Sequence, residues 1–339
     1  REDCERIPLP PGSGACLYVE AHRLRAQKVR MTEEDVSKSP SNRPPRASVI
    51  IPAWGETPYL ADMKTCLSRQ TIRNFETLVC APPDDARNAG AARNAGLARA
   101  TGEWVFFVDA DDLPEPDYLA ASIETGERTG ADIVAFRADE VDDRTGARNP
   151  LPYLRRLVPW ADGRVHALDE LGDRRFTTMG LAPWNKAVRR DFLLRNGIRF
   201  QLLARSNDLA FAVELLARAR TFVALDRSLI GYRVNNAASL QHTNSQTPLS
   251  FLDALAEARR RLDGHFASAF AALRAETVRY HLHSVRTLSA YRELVTRLGI
   301  DGGLKARNRL LFTFVRNWET LRDRGLAFCW RRVWGKMFR

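Results

Sequence analysis

The apolar positions of this chain fall first into short strand-like runs that alternate with stretches of helical period. Ala47 to Ile51 (ASVII) is a β-branched run stopped by Pro52 and followed by Trp54 and Gly55, which predicts a buried strand ending in a ligand-facing loop. Tyr59 to Ser68 spaces Leu60, Met63, Cys66 and Leu67 as one face of a helix, and Phe75 to Cys80 (FETLVC) is a second strand closed by Pro82-Pro83. A helix over 86–100, a strand over 104–108, a helix over 117–129 and a strand over 132–138 follow. This order predicts an α/β fold, a mostly parallel central sheet with flanking helices on both faces.

Within the second helix ARNAG occurs twice, at 86–90 and 92–96; the doubling is too short for a structural repeat, and Ala-rich helix packing accounts for it. Gly102 is placed to stop that helix. The forty residues after the fourth strand are loop-rich, with Trp160 and His166 as markers; His166 is expected at the surface or in a cap. From Ala182 the pattern tightens in PWNKAVRRDFLLRNGIRF and then becomes helical in SNDLAFAVELLARA, with strands at 221–225 and 229–234. Beyond Pro248 the chain reads as helices at 249–263, 266–297 and 304–334. Residues 1–45 have no sustained period and include the linker-like SPSNRPPR. The expected organisation is a leader over 1–45, with Met31 a candidate native start, a catalytic domain over 46–240 and a helical region over 246–339.

Chemistry concentrates where the run Trp104 to Val108 meets Asp109, Asp111 and Asp112, just before Pro114 and Pro116. Carboxylates this close repel one another, and a divalent cation with oxygen ligands relieves the repulsion. Open α/β sheets place their ligands at such carboxyl ends of strands. The alternative is a solvated acidic turn, since Asp and Pro are ordinary turn formers.

Composition narrows the class. With 339 residues, 45% hydrophobic and 27% charged, the chain is that of a soluble globular protein with a sizeable core. Cys4, Cys16, Cys66, Cys80 and Cys329 are scattered, without zinc or redox spacing, which predicts a reducing compartment. No apolar run is long enough to cross a bilayer and no signal-peptide core is seen, so the expected location is cytoplasmic. A net charge of +11 suggests an anionic partner, but no nucleic-acid module accompanies it, and nucleic acid is not expected as a partner. A phosphatase with Asp-x-Asp after a strand is set aside because Asp112-Leu113-Pro114 follows instead of a small hydroxylated or β-branched residue.

Taken in order, SVIIPAW (48–54), ARNAGLARATGEWVFFVDADD (92–112), PWNKAVRRDFLLRNGIRF (183–200) and NDLAFAVELL (207–216) resemble the family-two inverting glycosyltransferases of GT-A fold, of the bacterial polysaccharide type. The resemblance implies a GT-A sheet plus a C-terminal helical extension, and metal-dependent, hexosyltransferase-type transfer with inversion. The donor would be a nucleoside-diphosphate sugar, UDP-linked, and the acceptor a saccharide or a lipid-linked sugar of cell-surface polysaccharide synthesis. By the same resemblance Asp109 and Asp111, with Ala110 between them, are the DxD pair that meets Mg²⁺ or Mn²⁺, with Asp112 positioning them. Pro52, Ala53 and Trp54 correspond to the loop packing against the nucleoside, and Arg93 and Asn94 to helix residues lining the same pocket. Asp208 stands where the family has the Asp general base, although Asn207 replaces the acid that usually precedes it; the alternative for Asp208 is a helix N-terminal charge.

Trp184, Asn185 and Lys186 resemble the block bounding the donor-sugar and acceptor side, or else a core aromatic and a solvated lysine. Arg233 is within reach of a diphosphate or is a solvated arginine. One departure stands out: the region after the second strand is shortened to CAPPDD, so Asp84 or Asp85 is left to read the base through its N–H. That shortening and Asn207 motivate an alternative function, a catalytically silent nucleotide-sugar-binding or scaffold protein of the same fold. In the last helix, arginines flank Leu310, Phe314 and Trp318, and Trp330, Trp334 and Phe338 lie among further basic residues. This mixture predicts contact of residues 304–339 with an anionic membrane surface, the alternative being packing onto the catalytic domain or a second subunit.

Overall fold

The computed structural model describes residues 4–8, 16–20, 44–54, 58–83, 88–235, 249–282, 285 and 287–299. Two short strands come first, β1 (Cys4–Pro8) and β2 (Cys16–Glu20), inside the stretch expected to be only a linker. Then follow β3 (Ala47–Pro52), α1 (Leu60–Ser68), β4 (Phe75–Cys80), α2 (Ala89–Arg99), β5 (Trp104–Phe107), β6 (Leu113–Pro114), α3 (Tyr118–Thr129) and β7 (Ile133–Asp142). After β8 (Arg148–Pro150), β9 (His166–Ala167) and short 3-10 turns come β10 (Lys186–Arg189), α4 (Arg190–Arg195), α5 (Leu209–Arg218) and β11 (Thr221–Val234). The helices α6 (Ser250–Leu262), α7 (Ala267–His281) and α8 (Leu288–Arg297) complete the described chain; the helix expected at 304–334 lies outside it.

The sheet runs β1-β2-β4-β3-β5-β10-β7-β11-β6. Its centre is parallel, β4 and β5 flanking β3 and β11 pairing β7, as the buried β-branched and aromatic runs predict. Every residue of β3, β4 and β5 is buried, so both faces of the sheet must be covered. Phe106 meets Tyr118 of α3 at 5.2 Å between ring centroids, while the next residue, Phe107, meets Phe211 of α5 at 5.4 Å on the opposite face.

Two differences from the sequence reading bear on function. β10 is antiparallel and lies between β5 and β7, which a run of only four residues, KAVR, did not disclose. Because it runs the other way, its first residue, Lys186, arrives at the edge where β5 ends and the acidic turn begins. The strands foreseen at 221–225 and 229–234 are one long strand with register irregularities between Leu225 and Ile230. The chain forms two compact units, one of Arg1–Ser239 with Ala254–Leu273 and the other of Leu240–Asp253 with Arg274–Arg339, so part of the helical region belongs with the sheet. Among the described residues no helix is long and apolar enough to cross a membrane.

Gly102 does not stop α2, whose C-cap is Ala100. Its lack of a side chain serves a close approach: a Cβ here would sit 2.4 Å from the carbonyl carbon of Ala47 and 2.5 Å from the Ser48 nitrogen. The Gly102 N–H donates to Ser48 Oγ, and Ser48 donates to buried Glu76, which also accepts from Thr101, so three strands are pinned at their starting edge. Backbone cannot yield as a side chain can. Gly102→Ala is therefore expected to cost about 3 kcal/mol by overpacking, against about 1 kcal/mol for Gly130→Ala, where only a left-handed φ of 69° opposes the change. Urea denaturation of the two variants measures the difference.

Candidate active site

The parallel strands end along one edge, and there the acidic turn begins. The Val108 N–H still donates to Ile50 O, which extends the ladder one residue past β5; the chain then folds so that the Asp112 N–H donates to Asp109 O. Pro114 does not leave the sheet: β6 re-enters beside β11, with Leu113 opposite Gly231 and Pro114 opposite Ile230. The turn is thus held at both ends by strands, unlike a solvated acidic loop.

Its three acids are not equivalent. Asp109 is ion-paired with Arg93, whose side chain is only 7% exposed. The backbone carbonyl of Asp111 accepts from Arg233 Nε at 2.8 Å, which fixes the orientation of that residue. Asp112 is fully buried, and neither carboxylate oxygen has a hydrogen-bond partner. Burial, then the charges of Asp109 and Asp111, push its carboxyl well above the usual range.

Helix α2 braces this turn against the segment that leads into α5. It starts at Asn88, whose side chain accepts from the Ala91 N–H, and it carries Arg93 and Asn94 inward. Arg93 Nη1 donates to Asn207 Oδ1 at 2.8 Å while its other end holds Asp109. Asn94 uses both ends of its carboxamide on one backbone unit, donating to Phe200 O and accepting from the Phe200 N–H. Both ends of its carboxamide are thus engaged in a clamp on residue 200. Phe200 in turn stacks on Phe211 of α5 at 3.8 Å.

Asp208 lies at the N-terminus of α5, half-buried, and its side chain makes no capping hydrogen bond. Burial raises its pKa; Arg93 opposes that, Asp109 adds to it, and Lys186 opposes it again. A carboxylate that responds to those charges stands at the same edge as the acidic turn. At the N-terminus of α5 its charge also favours the helix dipole, as the alternative reading has it, though without a capping hydrogen bond.

Lys186 is buried, and a solvated charge is excluded. Its Nζ lies 2.6–3.2 Å from Asn185 Oδ1 and the carbonyls of Ala182, Gly180 and Met179. Burial lowers its pKa to about 7, with Asp208 favouring the charged form. Asn185 ties the same loop to β7 by donating to Phe136 O, and Trp184 is a core aromatic stacked on Tyr232 at 5.4 Å. Pro52, Ala53 and Trp54 leave the end of β3, with the Ala53 N–H donating to Cys80 O. Asp84 and Asp85 lie outside the described residues, so base reading stays an expectation from sequence.

Two residues are corrected. His166 is not at the surface; it is 4% exposed, its Nε2 2.9 Å from Asp162 and its Nδ1 3.3 Å from Glu170, beneath Trp160. Arg233 is not solvated: besides Asp111 O it contacts Asp143 and Asp62, and it lies 4.4 Å over the Tyr59 ring. Tyr59, Asp62 and Asp143 thus belong to the surroundings of the acidic turn, which no local pattern in the sequence revealed. Among the described residues no group of three His, Cys, Asp or Glu side chains is arranged to hold a metal ion. Asp109 and Asp111 carry the oxygen ligand type that a hard divalent cation takes, with Asp109 also engaged by Arg93.

A parallel sheet with an acidic turn at its carboxyl edge and a half-buried aspartate beside it defines a GT-A type fold. Residues 84–193 match the family model "Glycosyl transferase family 2". Over 224 residues the chain is 25% identical to the putative glycosyltransferase EpsH of Bacillus subtilis (strain 168), covering 58% of this chain and 63% of that one. Over 155 residues it is 30% identical to the uncharacterized glycosyltransferase YibD of Escherichia coli (strain K12), covering 44% of each. The chain thus spans less than two-thirds of the length of these relatives. Among solved structures, S. aureus TarS 1–349 in complex with UDP-GlcNAc superposes with a TM-score of 0.58 at 17% identity, covering 80% of this chain and 87% of that one, which speaks for the fold alone. The match to glycosyltransferase family 2 thus lies in residues 84–193, which carry α2, the acidic turn and β10.

Asp112 gives a stability prediction with a definite sign. Its folded pKa lies above the unfolded value of 3.8, so its contribution falls as pH rises from that value through the folded one, and at neutral pH it opposes folding. Asp112→Asn, which cannot ionise, is expected to remove this pH dependence, so that it gains stability relative to the unaltered chain at neutral pH compared with pH 3. Denaturant titrations at the two pH values check it.

Proposed function

We propose that this chain transfers a sugar, with inversion, from a nucleoside-diphosphate donor, UDP-linked, to a saccharide or lipid-linked acceptor of cell-surface polysaccharide synthesis. The observation that supports the reading is that one buried arginine, Arg93, holds both Asp109 and Asn207, the residue next to Asp208, at the carboxyl edge of the sheet. Asp109 and Asp111 are the residues that would hold Mg²⁺ or Mn²⁺, with the donor's diphosphate completing the ligand set. A bound divalent cation supplies electrostatic stabilisation of the charge that grows on the departing diphosphate.

The chain's own residues would do the rest. Asp208 takes the proton from the acceptor hydroxyl as that oxygen attacks the anomeric carbon from the face opposite the diphosphate. Its raised pKa makes it a stronger base than a solvated aspartate, while Arg93 and Lys186 limit the rise. Arg233 holds the Asp111 backbone so that its carboxylate is presented at the edge of the sheet. The Lys186 cage fixes the loop 179–185 that walls this side. The silent-scaffold alternative rests on Asn207 standing where an acid is usual.

Transfer assayed with a panel of nucleoside-diphosphate sugars and Mn²⁺ tests the reading. Asp208→Asn is expected to lower kcat by about 10²–10⁴-fold with donor binding retained, whereas Asp111→Ala is expected to lose both turnover and the Mn²⁺-dependent part of UDP affinity. Tight donor binding without transfer to any acceptor by the unaltered chain would favour the scaffold. The pH profile is a separate check: kcat/KM should rise with pH through the Asp208 pKa, and this acid limb should lie above the ordinary aspartate value of 3.8.

A further inference from the structure

Asn207 sits at the centre of a small closed lip. Its Oδ1 accepts from Arg93 at 2.8 Å, its Nδ2 donates to Leu203 O at 3.3 Å, and its backbone oxygen accepts from the Gln201 N–H at 3.0 Å. Gln201 Oε1 then accepts from the Ala210 N–H in the first turn of α5. The lip is pressed onto α2, where a Cβ on Gly90 would sit 2.1 Å from Gln201 O and 3.0 Å from Asn207 Cβ. Directly before Asn207, Ser206 has φ 52°, a left-handed conformation that persists only where its surroundings over-determine it.

We propose that Arg93 and Asn207 form a positioning latch for Asp208, and that the latch requires an amide, not an acid, at 207; the inference rests on the transferase reading of the site. A guanidinium has only protons to offer, so the atom facing it must accept. The Leu203 carbonyl has only lone pairs, so the atom facing it must donate. A carboxamide satisfies both. A carboxylate satisfies the first and sets a negatively charged oxygen against the second, and it also adds an acid beside Asp109 around one guanidinium. Asn207 is thus a positioning residue that fixes where α5 begins and hence where Asp208 stands, and it is no remnant of a lost catalytic acid.

The test uses the full-length chain with Asn207→Asp and Asn207→Ala. Both variants are expected to lose about tenfold or more in kcat, since misplacing a reacting group by a fraction of an ångström has effects of that order, with donor KM changed by less than about threefold. Wild-type or higher turnover in Asn207→Asp would overturn the proposal, because it would mean that an acid is welcome at 207. Amide hydrogen exchange gives a readout independent of turnover: residues 201–210 should exchange about tenfold faster in both variants while 47–52 stay protected. Unchanged exchange over 201–210 overturns the latch even if the chain is active, whereas faster exchange in a chain that never transfers sugar upholds the latch and refutes only the transferase reading.

Discussion

The ion pair between Arg93 and Asp109 is the contact on which the site depends, because the same guanidinium also binds Asn207. Putting a guanidinium into a protein interior costs several kcal/mol before its partners are counted. Here the cost is offset by a carboxylate on one side, an amide on the other, and the Phe200 ring 5.2 Å from the charge. Its Nε has no hydrogen-bond partner even so, and removing the carboxylate or the amide would leave the guanidinium still less satisfied in low dielectric. Two segments more than ninety residues apart in sequence, the acidic turn and the start of α5, are thereby held to a single position on α2.

That constraint explains why α2 is rich in small residues. Gly90 admits the Gln201 carbonyl, and Gly96 admits Ile50 of β3, where a Cβ would sit 2.4 Å from the isoleucine side chain. A helix that must lie this close to both a strand and a loop has no room for ordinary side chains on those faces. The doubled ARNAG is therefore spread over distinct tasks. Its first copy supplies the cap Asn88 and the approach at Gly90, its second the bridge Arg93, the clamp Asn94 and the approach at Gly96.

Much of the fold could be read from the order of residues, since β3, β4 and β5 are buried on both faces and their apolar runs are uninterrupted. The acidic turn was legible for a similar reason, since it lies at the end of a strongly patterned strand, whereas Asp208 was singled out through the family resemblance. What escaped was burial of charge. Lys186, His166 and Arg233 look like surface residues in a one-dimensional pattern, yet carbonyls, carboxylates or an aromatic ring enclose each of them. Their partners lie at separations from one residue to more than a hundred, and the distant ones leave no period. β10 escaped as well, because four residues cannot show an alternation and because its neighbours belong to β5 and β7.

Asp208 shows how these hidden charges set the chemistry. Burial alone would push its carboxyl toward the protonated form, in which it could take no proton from an acceptor. Buried Arg93 pulls the other way, as does Lys186 in its charged form, while Asp109 works against them. A divalent cation beside Asp109 would cancel that opposing charge and favour ionised Asp208 further. On the proposed reading, loading the acidic turn with a cation and ionising Asp208 would be coupled electrostatically across a single edge of the sheet. The uncapped state of Asp208 completes the argument: a carboxylate already committed to the α5 N–H groups would be a weaker base and would face the helix instead of the site.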